Sequence, residues 1–105
     1  MDCGLKQDVM DKINNIFEKY DEVQEVVLYG SRAKGNYKPG SDIDLTLKGR
    51  GLNLKLINKI NIELDDLLLP YTFDLSVYDA IDSPALIEHI QRVGTIFYKR
   101  KQENP

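Results

Sequence analysis

Apolar residues near the start of the chain recur at spacings of three and four. The residues with this spacing are Leu5, Val9, Ile13, Ile16, Phe17 and Tyr20. Positions three and four apart lie on the same face of an α-helix, so the pattern indicates a helix with one buried side. The spacing therefore predicts a first helix over residues 5–20.

Later segments have the patterns of strands. Residues 26–29 form a short apolar run that ends at Gly30, which is typical of a central strand buried on both faces. Residues 42–47 and 73–77 alternate polar and apolar side chains, so each predicted strand has one polar and one apolar face. Residues 96–98 add a predicted edge strand.

Further helices are predicted between and after these strands. Ser31 is predicted to cap a short helix after the first strand. Apolar residues at helical spacing run over 57–68, and Pro70 closes that helix. Ser83 and Pro84 then match an N-cap followed by a first-turn proline, which starts a last helix through residue 93.

The order of elements predicts a single small domain. A chain of 105 residues has room for one core. Helices alternate with strands, so we predict an α/β or α+β fold with a small mixed sheet of about three to four strands covered by helices. The domain is expected to span residues 1–98, with residues 99–105 as a frayed tail.

Composition narrows the possible partners and the location. The formal net charge is −3, which argues against broad binding to nucleic acids, because such binding uses many Lys and Arg contacts to phosphates. The single cysteine, Cys3, cannot form an internal disulfide, which favours a reducing cytoplasm. The sequence contains neither an apolar run of about 20 residues nor a signal peptide, so an intracellular protein without a membrane span is expected.

Three aspartates carry the predicted chemistry. Asp42 and Asp44 lie two apart on a predicted strand, so both point to one face with Cα atoms about 6.5–7 Å apart. Carboxylates that close repel each other, and a divalent cation such as Mg²⁺ removes that repulsion. Asp74 lies on the polar side of another strand, and it joins them if the two strands are neighbours. A solvated polar strand face is the alternative for the pair alone.

Gly30 and Ser31 form the second predicted part of the site. A glycine that ends a buried strand lets the backbone come close to a phosphate, and a helix starting at Ser31 offers free N–H groups. Arg32 and Lys34 add positive charge nearby. An ordinary strand-to-helix turn with a serine cap is the alternative.

Together these residues resemble a known signature. The string GSRAKGNYKPGSDIDL at residues 30–45 is similar to that of the nucleotidyltransferase superfamily, which includes DNA polymerase beta and kanamycin nucleotidyltransferase. It most resembles the minimal nucleotidyltransferases of prokaryotes, whose signature is Gly-Ser, then Asp-x-Asp, then an Asp on a later strand. The matching positions here are Gly30, Ser31, Asp42, Asp44 and Asp74.

The resemblance implies a role for each residue. Asp42 and Asp44 would bind two Mg²⁺ ions, and Asp74 would bind the ion nearer the acceptor and help to deprotonate its hydroxyl. Gly30 and Ser31, with Arg32 beside them, would hold the phosphates of ATP or another nucleoside triphosphate. A nucleoside monophosphate would be transferred and pyrophosphate would leave.

The resemblance also implies a partner. Short relatives act with a small helical protein of the HEPN type, and in some pairs they add AMP to a tyrosine of that toxin and so act as its antitoxin. The alternatives are a non-catalytic nucleotide-binding subunit that neutralises a partner by forming a complex, and transfer to a small molecule, for which a homodimer would have to build the second pocket. His89 has no second histidine or cysteine near it and is expected to pack at the surface or at an interface.

Overall fold

A computed structural model describes residues 3–101, which form four helices, four strands and one 3₁₀ turn. In chain order the elements are α1 (Gln7–Glu18), β1 (Glu25–Tyr29), α2 (Ser31–Lys34), β2 (Ile43–Lys48), α3 (Leu54–Asp65), β3 (Phe73–Val77), the 3₁₀ turn (Tyr78–Ala80), α4 (Pro84–Val93) and β4 (Thr95–Lys99). The predicted order of helices and strands and the mixed α/β fold class are confirmed.

The four strands form one mixed sheet in the order β3-β2-β1-β4. β1 runs antiparallel to both of its neighbours, whereas β2 and β3 are parallel. The strand predicted to be central, β1, is central, and every residue of it after Glu25 is buried. The two strands that carry the aspartates are neighbours, as the convergence of their carboxylates requires.

The two faces of the sheet have different coverings. One face packs with α1 and α3 in the main core, whose fully buried members include Ile13, Phe17, Leu28, Leu45, Leu47 and Ile60. On the other face, Val27 and Tyr29 of β1 form a smaller cluster with Ile90 of α4. This second face also carries Asp44 and Asp74, because Asp44 pairs with Tyr29 across the sheet and Asp74 pairs with Asp44.

Some predicted helix ends differ from the structure. α2 has Gly30 as its N-cap and Ser31 as its first residue, with no side-chain cap, so the prediction of a serine cap was wrong. α3 ends at Asp65 rather than near Pro70, since Leu68 adopts a left-handed backbone with φ of 55° that a helix cannot contain. The predicted cap of α4 is confirmed: the Leu86 amide donates to Ser83 Oγ at 3.3 Å.

The packed part of the chain extends beyond residue 98, the predicted end of the domain. Lys99 closes β4, and the guanidinium of Arg100 donates to main-chain carbonyls within residues 17–23, at the end of α1 and in the loop that follows. The packed part therefore continues to Arg100, and residues 102–105 lie outside the described residues. Within residues 3–101, no helix is both long enough and apolar enough to cross a membrane.

Candidate active site

Gly30 brings the backbone after β1 against the carboxylate of Asp44. Its φ of 77° lies in the region that side chains with a Cβ rarely adopt. A Cβ added at this position would overlap Asp44 Oδ2. Both the conformation and the close approach thus require glycine here, so the turn from β1 into α2 and the aspartate strand form one compact unit.

Substituting Gly30 with alanine tests this contact. Gly30→Ala should lower the melting temperature, because it adds both a strained φ and an overlap with Asp44. Gly35→Ala is the matched control, since Gly35 has φ of 83° with open space where its Cβ would lie. The control should cost about 1 kcal/mol for strain alone, and Gly30→Ala clearly more. Equal losses in the two variants, measured by thermal melts, would contradict the contact.

The three aspartates meet at the same end of the sheet. Asp44 and Asp74 are directly paired in the parallel register of β2 and β3, and Asp42 lies just before β2 begins. Asp42 and Asp74 are exposed, whereas Asp44 is half-buried between them and Gly30. The strands therefore bring the three aspartates to one end of the sheet, as the predicted convergence of their carboxylates requires. Their roles as metal ligands and catalytic groups stay predictions.

The surroundings of Asp44 shift its ionisation. Burial raises the pKa of Asp44, and the negative charges of Asp74 and Asp42 raise it further. The charged form of Asp44 is therefore disfavoured when no cation is present. Carboxylates that repel each other in this way are the groups that a bound cation would stabilise.

This shift predicts how stability depends on pH. Because the pKa of Asp44 is higher in the folded chain than in the unfolded chain, the folded state holds the proton more tightly. Stability from Asp44 is therefore present below its ordinary pKa of about 3.9 and is lost as the pH rises through the raised value. In metal-free buffer, the melting temperature of Asp44→Asn relative to that of the wild-type protein should increase as the pH rises from acid to neutral. A difference that stays constant over that range would contradict the assignment.

The donor set suits Mg²⁺, although its ligands are not gathered into a finished cage. Among residues 3–101, no three His, Cys, Asp or Glu side chains are already placed to hold a metal ion. The carboxylates of Asp42, Asp44 and Asp74 nevertheless supply the oxygen ligands that Mg²⁺ prefers, and the exposure of two of them leaves room for water and phosphate. The chemistry of the residues thus fits the predicted ion, and its binding stays a prediction.

Arg32 occupies a different place from the one that its position beside Ser31 suggests. Only 2% of the residue is exposed. Its guanidinium donates to the main-chain carbonyls of Ser41 and Cys3, at 2.9–3.1 Å, and lies over the rings of Tyr37 and Tyr71. These contacts hold the loop before β2 and disfavour the predicted contact between Arg32 and phosphate.

His89 contacts the turn of the candidate site, which the sequence pattern did not predict. Its Nε2 atom accepts a hydrogen bond from the Gly30 amide at 3.2 Å. Its ring meets the ring of Tyr29 edge-on, with centroids 6.2 Å apart. The expectation of packing was right in kind, but the packing is against the turn of the candidate site. Helical spacing offered a signal, since His89 follows Leu86 by three positions at the edge of the apolar face of α4.

Tyr29 contacts His89 from the sheet, just before the Gly30 turn. Burial raises the pKa of its phenol, and the charges of Asp74 and Asp44 add to the rise. The phenol is therefore neutral at physiological pH. Tyr29 is a packing residue next to the carboxylates, which agrees with the prediction that residues 26–29 form a buried strand.

The fold and site together define a nucleotidyltransferase-type domain: a mixed sheet, a glycine turn after its central strand, and three aspartates at that end. The family model for Polymerase beta, Nucleotidyltransferase matches residues 11–103. The chain belongs to this family, as its resemblance implied. No curated protein matches the chain.

Solved structures with the same fold include toxin–antitoxin complexes. One chain of a toxin–antitoxin crystallised with AMP-PNP is 20% identical, with a TM-score of 0.72, over 88% of this chain and 74% of that chain. A chain from a structure of tri-AMPylated Shewanella oneidensis HEPN toxin in complex with MNT antitoxin is 18% identical, with a TM-score of 0.68, over 91% of this chain and 74% of that chain. A chain of a MntA–HepT complex is 18% identical, with a TM-score of 0.68, over 90% of this chain and 74% of that chain. At these identities the likeness shows the fold.

Proposed function

We propose that this chain is an antitoxin that transfers AMP from ATP to a tyrosine hydroxyl of a HEPN-type toxin. The observation that carries the proposal is the pairing of Asp44 with Asp74 at the sheet end where the Gly30 turn approaches, in a chain of the nucleotidyltransferase family. The toxin–antitoxin neighbours, one with AMP-PNP and one with an AMPylated toxin, support this choice of donor and acceptor.

Each residue has a role in the proposed reaction. Asp42, Asp44 and Asp74 would hold two Mg²⁺ ions, which when bound would neutralise phosphate charge and favour ionisation of the acceptor hydroxyl. Gly30 and the Ser31 hydroxyl would hold the β- and γ-phosphates, which leaves the α-phosphorus open to attack. Arg32 acts at a distance, through the loop that it holds.

At the α-phosphorus, the transfer forms one bond and breaks one. The acceptor oxygen forms a bond to the α-phosphorus, and the bond between that phosphorus and the oxygen bridging to the β-phosphate breaks. Pyrophosphate leaves with the bonding electrons. The hydroxyl proton goes to a base beside the acceptor. We assign this role to Asp74, because its carboxylate is the exposed member of the Asp44–Asp74 pair.

The proposal is tested with the partner that the chain binds in its source. A tagged chain is used to isolate the complex, and the partner is incubated with Mg²⁺ and ATP labelled at either the α- or the γ-phosphate. We expect label from the α position on a partner tyrosine, located by mass spectrometry, and none from the γ position. Transfer of γ label, or no AMP adduct with the intact chain, would overturn the proposal.

A cell-protection assay with two variants separates catalysis from neutralisation by binding alone. If Asp42→Asn and Asp44→Asn still protect cells from the toxin and still form the complex, then complex formation is the function. If protection disappears while the complex survives, AMP transfer is required. Both variants keep the size of the side chain, so loss of the complex itself is not expected.

A further inference from the structure

The Gly30 amide lies where the sheet no longer offers it a partner. β4 pairs with β1 up to Leu28, and β2 pairs with it up to Tyr29. Gly30 is the next residue, half-buried beside the carboxylate of Asp44. A half-buried N–H group without an acceptor is unfavourable, so this amide needs one from another element.

His89 of α4 supplies that acceptor. Its Nε2 lone pair takes the Gly30 N–H at 3.2 Å, and its ring is kept in place by the edge-on contact with Tyr29. A nitrogen that accepts this hydrogen bond carries no proton, and its lone pair is not available to a metal ion. His89 therefore acts on the backbone of the turn rather than on a ligand.

We propose that His89 is a positioning residue of the nucleotide site, an inference that rests on the proposed function. It fixes Gly30, and Gly30 separates two groups of that site: the Asp44 carboxylate, against which its Cα lies, and Ser31, which follows it directly. Holding this one residue sets the distance between the carboxylates and the Ser31 groups assigned to phosphate. The hydrogen bond persists when nucleotide is bound.

Two substitutions separate positioning from packing. His89→Leu keeps the bulk of the side chain and removes the acceptor, so the KM for ATP should rise several-fold while kcat changes much less. His89→Gln returns an acceptor oxygen near the position of Nε2 and should recover most of that loss. Glu88→Gln is the control on the same helix, because Glu88 is exposed and forms a surface ion pair with Arg92. The KM of this variant should equal that of the wild type.

The hydrogen bond itself is measured in the wild-type chain, which avoids any variant that fails to fold. In a ¹⁵N-labelled sample, NMR should show a coupling between the Gly30 amide nitrogen and His89 Nε2 across the hydrogen bond. The coupling should remain after ATP and Mg²⁺ are added. Its absence in the free protein, or its loss on addition of ATP, would overturn the positioning role, since the amide would then serve the ligand instead.

The failure of this inference differs from the failure of the proposed function. If the wild-type chain transfers AMP and both His89 variants keep its KM, only the role of His89 is refuted. Tighter ATP binding by His89→Leu would also refute it, because the imidazole would then be a competitor of the nucleotide. If the wild-type chain neither binds ATP nor transfers AMP, the proposed function fails and the role of His89 fails with it.

Discussion

Replacing Asp44 with Asn is expected to reduce AMP transfer by at least about a hundredfold while leaving the fold intact. Metal-bound groups that stabilise charge in a transition state contribute several kcal/mol, and each 1.4 kcal/mol is about tenfold in rate. Asp44 pairs with Asp74 and is the half-buried carboxylate of the three, so no neighbour can replace it. The loss should appear in single-turnover transfer from ATP to the partner.

The stability of the same variant distinguishes a catalytic from a structural role. Because Asp44 is repelled by Asp42 and Asp74, the neutral amide should be at least as stable as the carboxylate in metal-free buffer at neutral pH. Mg²⁺ should raise the melting temperature of the wild-type chain and not that of Asp44→Asn.

Asp65→Asn is the matched control for this prediction, since Asp65 is an exposed carboxylate on α3 and lies outside the candidate site. It should keep the transfer rate and the response to Mg²⁺ of the wild type. If Asp44→Asn kept more than about a tenth of the rate, or melted far below the wild type, the assignment of Asp44 as a catalytic carboxylate would be wrong.

The part of the site that follows from alternation along strands could be predicted from the sequence. Asp44 and Asp74 each alternate with apolar neighbours, so their faces were determined by local pattern. The buried run before Gly30 likewise identified the central strand. What the pattern could not supply was the pairing of β2 with β3 in parallel, residue for residue, which places Asp44 beside Asp74. Register depends on how α3 returns the chain to the sheet, a property of packing rather than of local sequence.

The residues that sequence reasoning misplaced are those whose partners lie far away along the chain. His89 bonds to Gly30 from 59 positions away, and its helical spacing indicates an inward-facing side chain without identifying the residue that it meets. A charged residue next to a serine that is predicted to bind phosphate is expected to face the ligand, yet Arg32 turns to the carbonyls of Cys3 and Ser41. In both cases a backbone group without a partner decides where the side chain points, and composition does not reveal such groups.

Arg32→Met is expected to be the most destabilising of the substitutions considered. It removes three N–H donors from the carbonyls of Ser41 and Cys3 and the charge stacked on Tyr37 and Tyr71. Hydrogen bonds from charged groups contribute about 1.5–3 kcal/mol each, so a loss of about 3–5 kcal/mol is expected. For a domain of this size, the melting temperature should fall by roughly 15 °C or more. Thermal unfolding followed by circular dichroism measures it.

The conservative variant and a neighbour sharpen this prediction. Arg32→Lys keeps the charge without the planar fork that reaches two carbonyls, so it should lose part of the stability. Lys34→Met, two positions along on an exposed site of the same short helix, should melt like the wild type. If Arg32→Met instead kept its melting temperature and lost ATP binding, Arg32 would be a phosphate ligand. The assignment of Arg32 as the residue that holds the loop before β2, where Ser41 precedes Asp42, would then be wrong.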